Sequence, residues 1–466
     1  MKNINWNMTI ALCYTFFMVC TGCNKLLEVP DNAGGQTTTS EIFTDSANAV
    51  MGILGLYGSG TLSLQNLEKY ASLGADELIP NDTLDPTRIA YYKNDLNAGF
   101  ATSGSAPTSV FWSNYYGNNG IYLANAALEG LSKDKLLTTT LRNQLMGECL
   151  FIRAFYHFYL VNLFGDIPIV TSTSLPVNQV LPRSPVSEVY DQIEKDLLSA
   201  QAMLTPEYPT AGRLRPNRYT VSALLARVYL YRQQWTKAAA LCESILESGK
   251  YSLEANLDSV FLDGSKEAIW QLGSNLPDYP QMIPGFPALL PISSFLTPTY
   301  SCSPFLLRAF DSGDKRKTRW INDSIYNYPY KYRNSPYSFT PPTTTEDFMI
   351  FRLAEIYLIR AECKARHGDL VGAMEDVNII RSRAGLTIPK TATSLQKAMS
   401  LILHERQVEL FAEWGHRWLD LKRTDSINNI LGREKPWWPA DGHAALYPIP
   451  NSELITNPSL KQNPGY

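Results

Sequence analysis

Three groups of residues in this 466-residue chain have types and spacings that bear on chemistry. The first is Gly22 followed by Cys23. Lys2 opens a mostly apolar run from Met8 to Cys20, shorter than the roughly 20 residues a spanning helix needs, and the run ends in small residues before a thiol. That order fits cleavage before Cys23 and transfer of diacylglycerol to its sulfur, with simple secretion and an uncleaved anchor as alternatives. Cys20 and Cys23 also spell a CxxC, but it lies in the leader and is not read as a redox pair. The second group is Glu405, Glu409 and Glu413, spaced for one face of a helix. Glycoside hydrolysis needs two carboxylates facing each other across a cleft, about 5 to 9 Å apart, which one helix face does not supply. His404-Glu405 begins like a zinc-binding HExxH, but Val408 stands where the second histidine belongs. The strings around Asp82, Asp85 and Asp314 lack calcium-loop spacing, so neither a catalytic residue nor a metal site nor a cofactor is expected.

The third group is aromatic. The chain has 26 Tyr and 9 Trp, side chains that join an apolar face to a polar edge and so serve either packing or the stacking of sugar rings. Tyr91 and Tyr92 fall in one irregular stretch, about 79–107. Tyr300 and Trp320 fall in another, about 270–345, with Tyr279, Tyr326, Tyr328, Tyr330 and Tyr332. The second stretch holds 11 of the 29 prolines, which excludes long helices there. Aromatic loops on a rigid scaffold suit ligand capture, so Tyr91, Tyr92, Tyr300 and Trp320 are the expected ligand-binding residues, with Trp437 and Trp438 beside Pro436 as alternatives. The opposing reading of each ring is core packing.

The elements that must position these residues are helical. Phe351, Ala354, Leu358, Ala361 and Ala365 recur at steps of three and four, Gly368 breaks the pattern, and Asp369 caps a second helix carrying Ala373, Val377, Ile380 and Ala384 up to Gly385. A second hairpin runs from Leu224, Val228 and Tyr231 through Gln233 to Trp235, Ala238, Cys242 and Ile245. Ala226, Trp235 and Ala238 fall at the offsets of Ala361, Leu370 and Ala373, so both hairpins resemble the tetratricopeptide helix pair. Further helices are expected at Glu41 to Tyr57, Phe111 to Leu131, Leu137 to Leu163, Val186 to Leu204 and Leu395 to Lys422. His157, among Phe151, Phe155, Phe158 and Tyr159, reads as a core histidine.

With residues 1–22 removed as leader, residues 23–466 remain, enough for one large repeat-built unit or two to three smaller domains. The balance of 41 basic and 44 acidic residues, net −3, gives no broad attraction to nucleic acid or to an anionic bilayer. Cys149, Cys242, Cys302 and Cys363 allow two disulfides in three pairings, although Cys149, Cys242 and Cys363 sit in apolar helical patterns that favour free core thiols.

Ordered strings along nearly the whole chain add up to a family. Leu27-Glu28-Val29-Pro30, then Phe43-Thr44-Asp45, precede a helix with Trp112, Tyr116, Ile121 and Asn125. Arg153-Ala154-Phe155 and Phe164-Gly165-Asp166-Ile167-Pro168 follow, then Asp314 with Arg316, and Arg352-Leu353-Ala354-Glu355 with Tyr357, Leu358, Ala361 and Glu362. Glu405, Arg406, Glu409, Leu410, Arg417 and Asp420 come before a terminal YPIPNSELITNPSLKQNPGY. In this order the strings resemble the SusD/RagB family of surface lipoproteins. The resemblance implies a mainly α, SusD-like domain over residues 23–466, with tetratricopeptide-like pairs framing a loop-rich ligand face. It further implies an outer-membrane protein held by lipid on Cys23 and facing outward, which binds an oligosaccharide or other nutrient and lies as a lid on a SusC-like TonB-dependent transporter. The charged motif residues read as structural: Arg406 with Glu409, and Glu413 with Arg417, are spaced to tie down a helix surface. A surface glycosidase and a helical scaffold that binds only protein are the rival functions.

Overall fold

The computed structural model describes residues 45–59, 61–97, 107–117, 120–133, 136–273, 297–323, 325–334 and 345–466. The leader, Cys23, Leu27 to Pro30 and Tyr279 lie outside the described residues. The helices of eight residues or more are α1 (Ser46–Ser59), α2 (Thr61–Gly74), α3 (Pro86–Lys93), α4 (Ser109–Tyr116), α5 (Ile121–Lys133), α6 (Thr139–Phe164), α7 (Val186–Met203), α8 (Arg218–Tyr231), α9 (Trp235–Glu247), α10 (Leu353–Arg366), α11 (Leu370–Arg383), α12 (Leu395–Glu409), α13 (His416–Arg423) and α14 (Ile427–Glu434). The strands β1 (Leu78–Pro80), β2 (Ala268–Leu272), β3 (Tyr300–Cys302), β4 (Ile321–Asn322), β5 (Tyr328–Pro329) and β6 (Phe348–Arg352) form three antiparallel pairs, β1 with β3, β2 with β6 and β4 with β5. The fold is mainly α, as expected, and none of the described helices is long and apolar enough to cross a membrane.

Both helical hairpins form, but Phe351, expected on the first helix of the later one, lies in β6 paired with β2, and α10 begins only at Leu353. Asn217 and Thr220 make a reciprocal capping box at the start of α8, and Asp369 accepts the Gly372 N–H at 2.8 Å to start α11. Ala226, Ala238, Ala361 and Ala373 are all fully buried, small enough to let the paired helices approach. Packing of α6 on α7, α7 on α8, α8 on α9, α9 on α10 and α10 on α11 carries the pairs into one layered scaffold.

The long helix α6 is the spine. Phe151, Phe155, Phe158 and Tyr159 are fully buried, and Arg153 reaches across to Asp196 of α7 with two bonds of 2.8 and 2.7 Å. His157 Nδ1 meets the Arg153 carbonyl at 3.0 Å, and burial, helped by the Arg153 charge, pushes its pKa down to about 3, a neutral core imidazole. The last carbonyls of α6 all find donors, three of them from elsewhere in the chain. Gly165 N–H serves Val161, Lys422 Nζ serves Asn162, Tyr447 N–H serves Leu163, and Arg183 with Asn463 serves Phe164. The four described thiols, Cys149, Cys242, Cys302 and Cys363, are free and buried.

Two expected helices are interrupted. Between Phe111 and Leu131 the chain breaks near Gly117 and Gly120, where a Cβ on Gly120 would stand 2.2 Å from the Tyr115 carbonyl oxygen. Between Leu395 and Lys422 it breaks after Glu409, with Ala412 and Trp414 in the left-handed region at φ 53° and 49°. There the carbonyls of Glu409 and Phe411 accept bonds from the buried Lys331 and Arg352 side chains, and Trp414 Nε1 donates to Met349 at 2.7 Å. These partners lie far away in sequence and override the local helical pattern.

Candidate functional site

Helix α3 begins where Asp85 accepts the Thr87 and Arg88 N–H groups and Pro86 fills the first turn, a position that needs no N–H. Its successive side chains turn by about 100°, so neighbours face different ways. Tyr91 turns inward. It is fully buried, stacked on Tyr70 with ring centroids 4.2 Å apart, and donates its hydroxyl to the Pro107 carbonyl at 2.9 Å. Tyr92 turns outward and is half-buried.

Of the four aromatic residues expected to bind ligand, three are core residues. Besides Tyr91, Tyr300 sits in β3 opposite Pro80 of β1, only 3% exposed, with the Arg88 guanidinium 5.8 Å from its ring centre. Trp320 is fully buried, donates Nε1–H to the Leu257 carbonyl at 3.0 Å, and is ringed by Lys331, Arg352 and Arg383 at 4.8, 5.8 and 5.6 Å. Their ring faces are occupied by protein, so the expectation that Tyr91, Tyr300 and Trp320 offer a stacking surface is corrected. Pro-rich, Tyr-rich composition places these segments outside long helices, but it does not say which rings point inward.

Tyr92 has a partner that the alternatives had included. Its ring centre is 5.1 Å from that of Trp437, inclined at 56°, and Trp437 is 39% exposed and donates Nε1–H to the Tyr92 carbonyl at 3.2 Å. Trp438 is half-buried beside them, its Nε1 bonded to Asn428 and its ring 6.2 Å from Trp418. Arg88, one turn before Tyr92 on the same face of α3, is held by Asp82 at 2.9 Å and Asp85 at 3.1 Å. The result is an aromatic pair at the surface, with a guanidinium and two carboxylates about one helical turn away near the start of α3.

Lys435 fixes this surface from below. Its ammonium is buried and contacts four uncharged oxygens: the carbonyls of Leu73, Gly74 and Tyr92 at 2.7, 2.7 and 3.0 Å and Asn94 Oδ1 at 2.9 Å. Asn94 caps α3 in the left-handed conformation and passes a further bond to the Gly74 carbonyl at 3.0 Å. One side chain therefore binds together the ends of α2 and α3 and the turn that presents Trp437. Burial lowers its pKa to about 7, and the distant Asp76 opposes this only in part.

Glu405 and Glu409 of α12, and Glu413 in the turn that follows it, are not at the surface. Glu405, Glu409 and Glu413 are buried in a network with Arg316, Arg352, Arg381, Arg383 and Lys331. Arg352 reaches Glu409 at 2.5 Å and Glu413 at 2.8 Å, and Arg316 reaches Glu405 at 2.7 Å, Glu409 at 2.8 Å and Asp314 at 2.7 Å. Burial raises the Glu409 pKa, but Arg383, Arg352 and Arg316 outweigh it and hold the carboxyl well below its usual range. The expected pairs within one helix are replaced by longer-range ones: Arg406 meets Asp420, Arg417 meets Asp76, and Glu413 meets Arg352 and Lys331. Carboxylates saturated by guanidiniums in this way hold elements together and face no cleft.

Comparison with known proteins agrees with this architecture. A family model described as starch-binding and associating with the outer membrane matches residues 71–230, and a SusD family model matches residues 308–466. A SusD-like protein of Formosa agariphila is 25% identical, over 97% of this chain and 97% of its own length. A SusD superfamily protein from Bacteroides vulgatus superposes with a TM-score of 0.76 at 20% identity, covering 91% of this chain and 100% of that one. A solved laminarin-binding SusD-like protein superposes with a TM-score of 0.75 at 23% identity, covering 91% of this chain and 100% of that one. These structures share the fold.

Proposed function

Because the chain belongs to the SusD/RagB family, we propose that it captures an oligosaccharide at the cell surface without cleaving it, on the pair of half-buried Tyr92 and exposed Trp437, and hands it to a SusC-like TonB-dependent transporter. The observation that carries the site is that pair, pinned by Lys435, with Arg88, Asp82 and Asp85 about one turn away near the start of α3. Aromatic rings take the apolar face of a sugar, while the charged groups take its hydroxyls. The starch named in the matching family description and the laminarin named for the structural relative are the first ligands to try. A glycosidase reading finds no support in Glu405, Glu409 and Glu413, whose oxygens are committed to arginines and lysine.

Attachment through lipid on Cys23 is part of the same proposal: the family is associated with the outer membrane, and two or more acyl chains hold a protein there stably where one does not. Isothermal titration of mature protein with laminarin and starch oligosaccharides tests the site. Each aromatic contact is worth roughly 0.5 to 1.5 kcal/mol beyond its buried area, so Tyr92→Ala and Trp437→Ala should each weaken binding by about two- to twelvefold. Equal affinity in both variants rejects this platform. Recovery of a β-barrel partner after mild detergent extraction tests the transporter step, and recovery of the chain alone, with other outer-membrane complexes intact, rejects it.

A further inference from the structure

A concave site elsewhere in the molecule shares no residue with the Tyr92 and Trp437 surface. It is a cleft of about 340 Å³ between α4, the start of α5, residues 168–179 and the helix Asn451–Thr456, a volume within the usual range for small-ligand sites. Trp112, Tyr116 and Tyr122 give it aromatic walls, and Asn178, Gln179 and Glu453 give it polar ones.

The walls are fixed before any ligand arrives. Tyr116 donates its hydroxyl to the Pro168 carbonyl at 2.7 Å, Asn125 serves the Val170 carbonyl at 3.2 Å, and Glu129 accepts both the Thr173 N–H and its hydroxyl at 2.8 and 2.7 Å. Asn178 Nδ2 is spent on the Ser172 carbonyl at 2.8 Å, and Asn457 Nδ2 on that of Leu181 at 2.8 Å. What remains available is of one kind. Tyr122 is 42% exposed and makes no ring contact among the described residues. Among the described residues the Gln179 side-chain amide has no partner, and Glu453 is the one charged side chain lining the cleft. Glu453 accepts from Ser113 at 3.4 Å and from the Trp112 side chain, which aims the carboxylate without using all of its lone pairs.

We infer that this cleft is a second saccharide site, one that takes a neutral sugar with a ring face on Tyr122 and hydroxyls on Glu453, Gln179 and Asn178 Oδ1. A purely apolar ligand would leave three polar groups unpaired, and a uronate or sulfated sugar would set its charge against the single carboxylate. The inference extends the capture reading but stands on separate residues.

Saturation-transfer NMR on the mature protein tests it, with maltose, cellobiose and laminaribiose as neutral probes and glucuronate as the charged one. The Trp437→Ala variant should still bind at least one neutral disaccharide, and adding Tyr122→Ala should weaken that residual binding three- to tenfold. Tyr122 is half exposed, so its replacement leaves the fold intact, and unchanged chemical-shift dispersion verifies this. Glu453→Gln should relax the discrimination against glucuronate. If Trp437→Ala abolishes all binding, the second site is rejected and the first stands. If only Tyr122→Ala has an effect, the first is rejected and the second stands. Failure of every neutral probe to bind the Trp437→Ala variant, or equal binding of glucuronate by that variant, overturns the inference.

Discussion

Replacing Lys435 by Met removes the ammonium that ties α2, α3 and the Trp437 turn together while keeping the length of the side chain. Of its four acceptors, Gly74 O keeps the Asn94 amide and Tyr92 O keeps the Trp437 indole, so Leu73 O and Asn94 Oδ1 are the two left without their donor. A buried acceptor deprived of its partner costs about 1–3 kcal/mol. The variant regains part of this because it no longer buries an ammonium, a desolvation large enough to lower the lysine to about 7. The expected net loss is about 2 kcal/mol, measured near pH 6, where the ammonium is the form being removed. Urea unfolding followed by far-UV circular dichroism gives that number. Because Tyr92 and Trp437 both depend on the same carbonyl, saccharide affinity should fall by at least as much as in Trp437→Ala, and the Trp437 emission should shift to the red. A Lys435→Met protein with wild-type unfolding midpoint, emission and affinity would refute the idea that this lysine holds the platform.

Three further outcomes follow from the core. Trp320→Ala should cost about 3–5 kcal/mol, as removal of a buried indole does, whereas Trp437→Ala should stay within about 0.5 kcal/mol; thermal melts compare them, and equal effects would contradict their placement. Glu409→Gln leaves Arg316, Arg352 and Arg383 facing a neutral amide and should cost about 3–5 kcal/mol in urea unfolding, with a loss under about 1 kcal/mol counting against the network. Glu77, raised to about 7 by burial, with the nearby Asp76 charge adding to it and the Ser72 hydroxyl opposing, binds its proton more tightly folded than unfolded. Wild-type stability from this group therefore grows as pH falls from above 7 toward 4.5, and Glu77→Gln lacks that slope. The advantage of the variant in Tm should be larger near pH 8 than near pH 5, and a constant gap would refute the assignment.

The scaffold was legible wherever the information is local. In α8, α9, α10 and α11 apolar residues recur at helical spacing, Asn217 and Asp369 cap α8 and α11, and Gly368 and Gly385 close α10 and α11; these signals lie within one or two turns and the helices form on them, except that Phe351 is drawn into β6 by pairing with the distant β2. The end of α12 was not legible, because Lys331 and Arg352, 78 and 57 residues from Glu409, take the carbonyls that a continuing helix would use. The same distance hides the partners of the motif charges: Arg316 and Glu405 are 89 residues apart, Arg417 and Asp76 are 341 apart. Spacings of three and four on a helix predict contacts along that helix only, so they assigned to the surface residues that tertiary pairing buries.

The candidate site shows how close a signal can lie to the answer. Asp85 followed by Pro86 is the start signature of a helix, and reading α3 from it separates Tyr91 from Tyr92 by phase: one ring belongs to the core, the next to the surface. No comparable signal reaches Trp437, whose exposure depends on Lys435 meeting the ends of α2 and α3 some 340 to 360 residues earlier in the chain. That dependence has a functional consequence. A binding surface built on an irregular turn would ordinarily pay for ligand contact with ordering entropy, but here the turn is already bonded to two helix ends, so less of the modest stacking energy is spent on holding the rings in place. The affinity of the platform is then set by rigidity as much as by aromatic area, which is why a substitution beneath the rings is expected to weaken binding as strongly as removal of a ring itself.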